Sequence, residues 1–387
     1  MKLVFSDHKV PKNITKSIFL AGPSPREKDV SDWRHDAVKY LESIKFDGTV
    51  FLPVPKNRFY GDDDSTGWTY DEQVAWECEC RALADINLFW VPRDIKGRMP
   101  AFATNIEFGE DLASGKIVYG RPATAEKCRY FDKRFIDMGL PFFETLEDTI
   151  DHAVSLLGDG AVRENGEVYV PLFIWKTPQF QSWYTNLKLA GNRLDHVKVL
   201  SHVTIRHTFT FCYIIKVNIW VEAEQRFKSN EVVFSRTDIS SVVAYYKDAD
   251  ETYVAIVKEF RSPANNEQGF VFELAGGSAA KPGTDPLENV SHELHEEAGV
   301  LIEDLSRFSF VNKRQLVGTV STHCSYLYKV ELNKEEFEHI LESAKNKTSF
   351  GEEGSSEITY VDMVPLSALK NSLVDFTTLG MIYESLF

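Results

Sequence analysis

Residues 276–300 read GGSAAKPGTDPLENVSHELHEEAGV, a glycine-rich turn that leads into an acidic segment. The segment carries the usual signals of a helix. Asp285 can cap its start, Pro286 suits its first turn and Gly299 suits its end. The stretch therefore predicts a tight loop followed by a helix of about four turns.

The predicted helix presents three glutamates on one face. Glu293, Glu296 and Glu297 are spaced i, i+3 and i+4, and like charges at this spacing each cost about 0.2–0.5 kcal/mol in an isolated helix. A divalent cation would offset the repulsion, because Mg²⁺ binds carboxylate oxygens together with substrate phosphates. The pattern indicates metal-assisted attack on a phosphoanhydride, and a solvated acidic helix is the alternative.

The stretch resembles the Nudix box, in which Gly, five residues, Glu and seven residues precede Arg-Glu-apolar-x-Glu-Glu-x-Gly-apolar. Residues 292–300 match the second half, except that His292 stands where the family has arginine. The first half departs from the pattern, because Thr284 stands at the glutamate and Gly277 lies one residue too far upstream. The resemblance implies a Mg²⁺ or Mn²⁺ cofactor held by Gly276, Glu293, Glu296 and Glu297, with Glu293 also catalytic.

The flanking residues resemble the Nudix branch that acts on ADP-ribose and nucleoside-diphosphate sugars. Residues 258–261 (KEFR) and 272–277 (FELAGG) carry this likeness. It implies that Arg261 and Glu273 contact the substrate. It also implies that a late glutamate assists the metals or the attacking water, a role assigned to Glu353 with Glu352 and Glu357 as alternatives.

Strand and helix patterns alternate through the first half of the chain. Residues 16–24 are typical of a buried strand that ends in a Gly-Pro turn. Further strands are predicted at 47–53, 85–92 and 115–119, and helices at 30–44, 69–84 and 107–114. The alternation favours a doubly wound, Rossmann-like parallel sheet with helices on both faces. Since ligands bind beyond the carboxyl ends of such strands, we expect Ser24, Asp85 and Glu107 to meet in one crevice.

Five fragments of this half resemble the nucleoside 2-deoxyribosyltransferase superfamily. They are Ala21-Gly22-Pro23, Trp33-Arg34, Trp76-Glu77, residues 84–93 (ADINLFWVPR) and residues 104–109 (TNIEFG). The likeness covers about residues 15–155. It implies cleavage or transfer at the N-glycosidic bond of a nucleoside or nucleotide.

This resemblance also implies roles for individual residues. Glu107 matches the nucleophile that attacks the anomeric carbon and holds a covalent glycosyl intermediate, and Asp85 matches the acid that handles the base. Water as the acceptor would make a hydrolase and a second base a transferase. No acidic residue stands six positions before Glu107, as it does in some transferases of the family. The expected substrate contacts are Asn105 and, around a 5′-phosphate, Gly22, Ser24 and Arg26.

Composition places the chain among ordinary globular proteins of about two domains. It has 387 residues, of which 43% are hydrophobic and 26% charged. A net charge of −15 argues against nucleic acid or an anionic membrane as the partner. Five cysteines without a regular framework, and no secretory or spanning segment, predict a cytoplasmic protein.

We predict a deoxyribosyltransferase-like domain at 1–158, an aromatic-rich connecting segment at 159–195 and an α+β Nudix domain with a mixed sheet at 196–387. The chain is then a bifunctional enzyme acting on a small nucleotide, as a homodimer or higher homo-oligomer. Removal of nicotinamide from NAD would give ADP-ribose for the second site; alternatively, the second site would supply a nucleoside monophosphate to the first. A single-activity Nudix hydrolase, or a regulator whose first domain only binds ligand, is the alternative.

Overall fold

The structure is a computed structural model that describes residues 1–26, 30–61, 68–96, 99–205, 209–278, 283–351, 354 and 356–387. The chain divides into two compact units, Met1–Phe234 and Ser235–Phe387. This division falls later than the predicted domain start at residue 196, because the strands that precede Ser235 pack on the connecting segment. The three predicted domain ranges stay a prediction.

The first unit alternates strands and helices, as its sequence predicts. Its strands are β1 (Lys2–Phe5), β2 (Asn13–Ile14), β3 (Ser17–Ala21), β4 (Thr49–Leu52), β5 (Ile86–Trp90), β6 (Ile117–Gly120), β7 (Arg163–Glu164), β8 (Arg193–Ile205), β9 (Phe209–Val221) and β10 (Arg226–Arg236), of which the last two residues already belong to the second unit. Its helices are α1 (Arg34–Ser43), α2 (Lys56–Phe59), α3 (Tyr70–Leu83), α4 (Phe102–Asp111), α5 (Arg129–Asp137), α6 (Leu146–Leu157), α7 (Leu172–Trp175) and α8 (Pro178–Leu189).

A five-stranded parallel sheet with the order β1-β4-β3-β5-β6 forms the centre of this unit. Ile18 and Leu20 of β3 pack in one core with α1 and α6, while Phe19 and Ala21 pack in a second core with α3, α4 and α5. Alternate residues are apolar on both faces because helices cover both sides. The predicted parallel sheet is confirmed, and β1 adds an edge strand that was not predicted.

Helix α4 begins at Phe102, not at Glu107 as predicted. Ala101 precedes it with a left-handed φ of 60°, which turns the chain into the helix directly after Pro100. Glu107 therefore lies in the second turn of α4. Its position is too far along the helix for the amino-terminal dipole to account for it, since that effect fades within the first turn.

The aromatic connecting segment folds as part of the first unit. Phe180 and Tyr184 of α8 pack against Tyr213 and Ile215 of β9, in a three-stranded sheet with the order β10-β9-β8. The segment also carries Arg163, whose guanidinium reaches the amino-terminal end of β5.

Arg163 and Asp85 form a buried ion pair at that strand end. Both Asp85 oxygens accept hydrogen bonds from the guanidinium at 2.7 Å, and the two side chains are 0% and 1% exposed. Ser17 Oγ donates to Asp85 at 3.0 Å, and the backbone N–H of Leu172 donates at 3.2 Å. Each oxygen of the carboxylate is thus fully engaged in holding the connecting segment on the sheet.

In the described part of the second unit, seven strands form a mixed sheet. They are β11 (Ile239–Asp248), β12 (Glu251–Phe260), β13 (Phe270–Glu273), β14 (Gly276–Gly277), β15 (Ser309–Gln315), β16 (Cys324–Glu331) and β17 (Thr359–Pro365). The helices are α9 (Pro286–Ala298), α10 (Lys334–Asn346), α11 (Leu366–Leu369) and α12 (Phe376–Leu386). The main strand order is β13-β12-β11-β16-β15; β14 pairs with β11, and β17 pairs with β12. β11 and β16 are parallel, whereas β11 and β12 form the predicted antiparallel pair.

Helix α9 confirms the helix predicted from residues 276–300. The Asp285 side chain accepts a hydrogen bond from the Leu287 N–H, and Gly299 ends the helix with φ of 69°. Val290 and Leu294 pack on one face of the sheet, and Ile382 of α12 packs on the other. Among the described helices of the chain, none has the length and apolarity needed to cross a membrane. The homo-oligomer and the cytoplasmic location stay predictions.

Replacing Arg163 with Ala should destabilise the first unit by about 3–5 kcal/mol, because the change leaves the Asp85 carboxylate buried without its counter-ion. Urea denaturation of the full chain, followed by circular dichroism, measures the loss. Arg129, exposed on α5, provides the matched control, and Arg129→Ala should change the free energy of unfolding by less than about 0.5 kcal/mol. Equal stability of the two variants would show that the ion pair contributes little.

Candidate functional site

A pocket of about 210 Å³ opens beyond the carboxyl ends of β3 and β4 and at the amino end of α4. This is the edge of a parallel sheet where ligands bind. Gly22 and Ser24 form one wall, and Glu107 lies on another. The remaining lining residues are Pro23, Arg26, Arg34, Pro53, Gln73, Glu77, Pro100, Ala101, Phe102, Ala103 and Thr104.

The buried Arg34 holds the glycine turn of this pocket in shape. Its guanidinium donates to the carbonyl oxygens of Leu20 at 3.1 Å and Gly22 at 2.6 Å, and to Ser24 Oγ at 3.2 Å. Gly22 has φ of 148°, and a Cβ there would lie 2.2 Å from the Trp90 carbonyl oxygen. A glycine is required at this position because the turn passes directly over the end of β5.

Two half-buried carboxylates, Glu77 and Glu107, line the same pocket. Burial and the neighbouring Glu77 raise the pKa of Glu107 to about 7. Burial also raises the pKa of Glu77, which accepts a hydrogen bond from Gln73 Nε2 at 2.9 Å. The positive charge of Arg34 acts in the opposite direction on both groups. One site thus holds two acids that titrate at higher pH than exposed glutamates.

Arg81 fixes the helix that carries Glu107 against the helix that carries Glu77. Its guanidinium donates to the Glu107 carbonyl oxygen at 3.2 Å and forms ion pairs with Glu110 and Asp111 at 2.6 and 3.1 Å. Arg81 follows Glu77 by four residues on α3. The spacing of the two carboxylates therefore depends on a buried contact between α3 and α4.

Four of the six residues predicted for the first site line the pocket: Gly22, Ser24, Arg26 and Glu107. Asp85 does not, because it precedes β5 and lies at the amino-terminal end of the sheet, about 16 Å of strand from the pocket edge. Its expected place in the crevice was wrong. Asn105 does not line the pocket either, and its side-chain oxygen accepts a hydrogen bond from Arg93.

Sequence reasoning missed Glu77, Arg34 and Gln73 as pocket residues. The signal for the first two was present, because Trp76-Glu77 and Trp33-Arg34 were among the fragments that carried the resemblance. Only the structure shows that Glu77, four residues before Arg81 on α3, faces Glu107.

The second unit gathers acidic side chains around its glycine strand β14. The Gly276 N–H donates to Glu297 Oε2 at 2.9 Å. A Cβ on Gly277 would lie 2.5 Å from Glu293 Oε1, so the glycine allows this carboxylate to approach the backbone closely. Burial raises the pKa of Glu293 to about 7 and that of Glu297 to about 9, and neighbouring carboxylates add to both shifts.

Strand β12 and the loop before β17 add further charged groups to this cluster. Arg261 forms ion pairs with Glu259 at 2.6 Å, Glu357 at 3.4 Å and Glu273 at 3.7 Å. Carboxylate oxygens of Glu259, Glu297 and Glu357 all lie within 4.8 Å of one another. Such a set of hard oxygen donors is the kind that binds Mg²⁺ or Mn²⁺.

The structure brings together most of the residues predicted for this second site: Gly276, Glu293, Glu297, Arg261 and Glu273. Glu296 is on the same helix, but its carboxylate contacts His292 at 3.1 Å. Glu353 and Glu352 lie outside the described residues, whereas the alternative, Glu357, belongs to the cluster. Glu259 was not predicted, although it stands in the quoted stretch 258–261.

Comparison with known proteins bears on the first unit. A family model described as nucleoside 2-deoxyribosyltransferase like matches residues 15–123. This range contains β3 to β6 and the whole lining of the pocket. No curated protein matches the chain. The chain therefore carries an N-terminal nucleoside 2-deoxyribosyltransferase-like domain, which suggests an enzyme that acts on nucleosides.

Proposed function

We propose that the first unit cleaves or transfers the N-glycosidic bond of a nucleoside or nucleotide, with Glu107 as nucleophile. The observation that carries the proposal is the paired placement of Glu107 and Glu77 in the pocket beyond the carboxyl end of the sheet. Two carboxyl groups around one glycosidic bond are the usual requirement for a retaining mechanism. Glu77 replaces Asp85 as the general acid, a role that the family resemblance implied for Asp85.

In the first step, a Glu107 oxygen bonds to the anomeric carbon and the carbon–nitrogen bond breaks. The base leaves with the bonding electrons and takes a proton from Glu77, so a glycosyl ester of Glu107 and an ionised Glu77 remain. Water or a second base then attacks the anomeric carbon, gives its proton to Glu77 and releases Glu107. With water as the acceptor the enzyme is a hydrolase, and with a second base as the acceptor it is a transferase.

Another part of the pocket lining suits an anion such as a 5′-phosphate. Ser24 offers a hydroxyl, Arg26 an exposed guanidinium, and residues 102–104 the first turn of a ten-residue helix. Backbone N–H groups in a first helical turn have no partner within the helix and attract anions. A nucleotide would thus place its phosphate at the start of α4, one helical turn before Glu107.

A second activity is favoured by the acidic cluster of the other unit, which we propose to be a Nudix-type, metal-dependent phosphoanhydride hydrolase. The residues fit Mg²⁺ or Mn²⁺, because Glu259, Glu297 and Glu357 supply hard oxygen donors within 4.8 Å. The metal, when bound, would polarise the phosphoanhydride. Glu293, whose pKa is raised to about 7, is placed to hold a proton of the attacking water, and Arg261 to bind the anionic substrate.

Glu107→Gln should abolish base release, because an amide oxygen is a far weaker nucleophile than a carboxylate. Chromatography of free base after incubation with a panel of nucleosides, nucleoside monophosphates and NAD measures the effect. Glu42→Gln, an exposed change on α1, is the matched control and should keep the wild-type rate. Release of base by Glu107→Gln at the wild-type rate, or no release by the wild type on any substrate, would refute the proposal and favour a ligand-binding role.

Base release should rise with pH as Glu107, whose pKa is raised to about 7, becomes ionised, and should fall again once Glu77, which must hold a proton for the leaving base and whose pKa is also raised, has ionised. An exposed glutamate would give the same rise near pH 4.3. Measurement of kcat/KM from pH 5 to pH 8.5 tests this expectation. A constant value over that range would mean that the ionisation of Glu107 does not limit the reaction.

Glu297→Gln should lower phosphoanhydride cleavage about 100-fold, or about 3 kcal/mol, because the change removes a charged ligand of the metal while keeping its size. The assay follows ADP-ribose and other dinucleoside or sugar diphosphates with and without Mg²⁺. Glu288→Gln, exposed on the same helix, is the control, and Glu107→Gln should leave this activity intact. Wild-type turnover by Glu297→Gln at saturating Mg²⁺ would contradict the assignment.

A further inference from the structure

Glu259 is a buried acid that neither resemblance explains. It lies on β12 and is 5% exposed. Its Oε2 accepts no hydrogen bond within the described ranges; the Arg261 guanidinium lies 2.6 Å away as an ion pair, without hydrogen-bond alignment. A carboxylate in this position costs several kcal/mol unless its charge is compensated.

Among the residues that the structure describes, the charges around Glu259 do not balance. Arg261 supplies one positive charge, and it divides this charge among Glu259, Glu273 and Glu357 at 2.6, 3.7 and 3.4 Å. Glu297 then brings a fourth carboxylate within 4.8 Å of Glu259. Arg261 is itself half exposed, so solvent weakens its effect. The cluster therefore has room for a further cation.

We propose that Glu259 is a direct ligand of the divalent cation, together with Glu297 and Glu357. This inference rests on the proposed metal-dependent activity of the second unit. Opposite oxygens around Mg²⁺ are about 4.2 Å apart, given about 2.1 Å for each metal–oxygen bond. The spread of up to 4.8 Å is close to that distance, so small side-chain movements suffice to complete the set.

The assignment adds a ligand from the sheet to those offered by helix α9. Glu297 is held by the Gly276 N–H, and Glu259 is held by the β12 backbone, which pairs with β17 through Glu259 and Thr359. Two rigid elements would thus fix two ligands, and the loop that carries Glu357 would supply the third. Neutralisation of Glu259 by a cation would leave Arg261 available for the anionic substrate.

The competing role for Glu259 is purely structural, as the counter-ion of Arg261. The two roles predict opposite results in the absence of metal. If Glu259 is a ligand, Glu259→Gln removes repulsion, and the metal-free variant should melt at or above the wild-type temperature. If Glu259 serves only Arg261, the metal-free variant should melt lower and should bind metal as the wild type does.

The experiment is a calorimetric titration of the full chain with Mn²⁺ after treatment with chelator, together with thermal melts with and without Mn²⁺. We expect Glu259→Gln to bind Mn²⁺ at least about tenfold more weakly than the wild type. The melting temperature of this variant should also rise less when Mn²⁺ is added. Glu342→Gln, exposed on α10, is the matched control and should behave as the wild type. Should Glu259→Gln fail to fold, Glu259→Asp, which withdraws the carboxylate by one methylene, should show the same weakening.

The outcomes separate this inference from the activity on which it rests. Weakened binding in both Glu259→Gln and Glu297→Gln supports it. Wild-type affinity in a folded Glu259 variant, with weakened binding in Glu297→Gln, overturns the role of Glu259 and leaves the metal site in place. Absence of Mn²⁺ binding in the wild type overturns both.

Discussion

A carboxylate that is removed from water must be paired, protonated or bound to a cation, and this constraint governs the functional parts of both units. Asp85 illustrates complete pairing, since Arg163 contacts both of its oxygens at 2.7 Å. Such a group is held in place by its partners. Glu107 and Glu297 illustrate the opposite case, because burial raises the pKa of each to about 7 and about 9. Groups of this second kind can exchange protons or bind cations near neutral pH.

Arginines set the difference between the two kinds of carboxylate. Arg163 reaches Asp85 directly, whereas Arg34 is turned toward the carbonyl oxygens of Leu20 and Gly22 and acts on Glu107 and Glu77 only through its charge. Arg81 in turn contacts the Glu107 backbone, not its carboxylate. The acids of the first pocket are therefore positioned without being neutralised, which is the condition that general acid and nucleophilic roles require.

The elements of the fold could be predicted because their signals are local. Helix α9 follows from its cap, its first-turn proline and its terminal glycine, and the parallel sheet follows from alternation of strands and helices. The site residues depend on contacts between distant parts of the chain. Asp85 was misplaced because it stands at the start of β5, whereas ligands bind beyond the carboxyl ends of such strands; its partner, Arg163, lies 78 residues away. Glu77 and Glu259 were missed because Glu77 meets Glu107 from another helix and Glu259, on strand β12, meets Glu297 of helix α9. The spacing of residues within one segment does not reveal contacts with another segment of the chain.

The unfavourable ionisation of Glu107 in the folded protein argues for a chemical role over a structural one. A helix glutamate in the first turn gains from the dipole, but α4 begins at Phe102 and leaves Glu107 beyond that turn. Its raised pKa means that ionisation is less favourable in the folded protein than in the unfolded chain, so the charge opposes folding at neutral pH. A glutamine would fill the same space without that cost. A residue whose charge opposes folding, in a pocket beside a second acid, is best explained by a reaction that needs a carboxylate there.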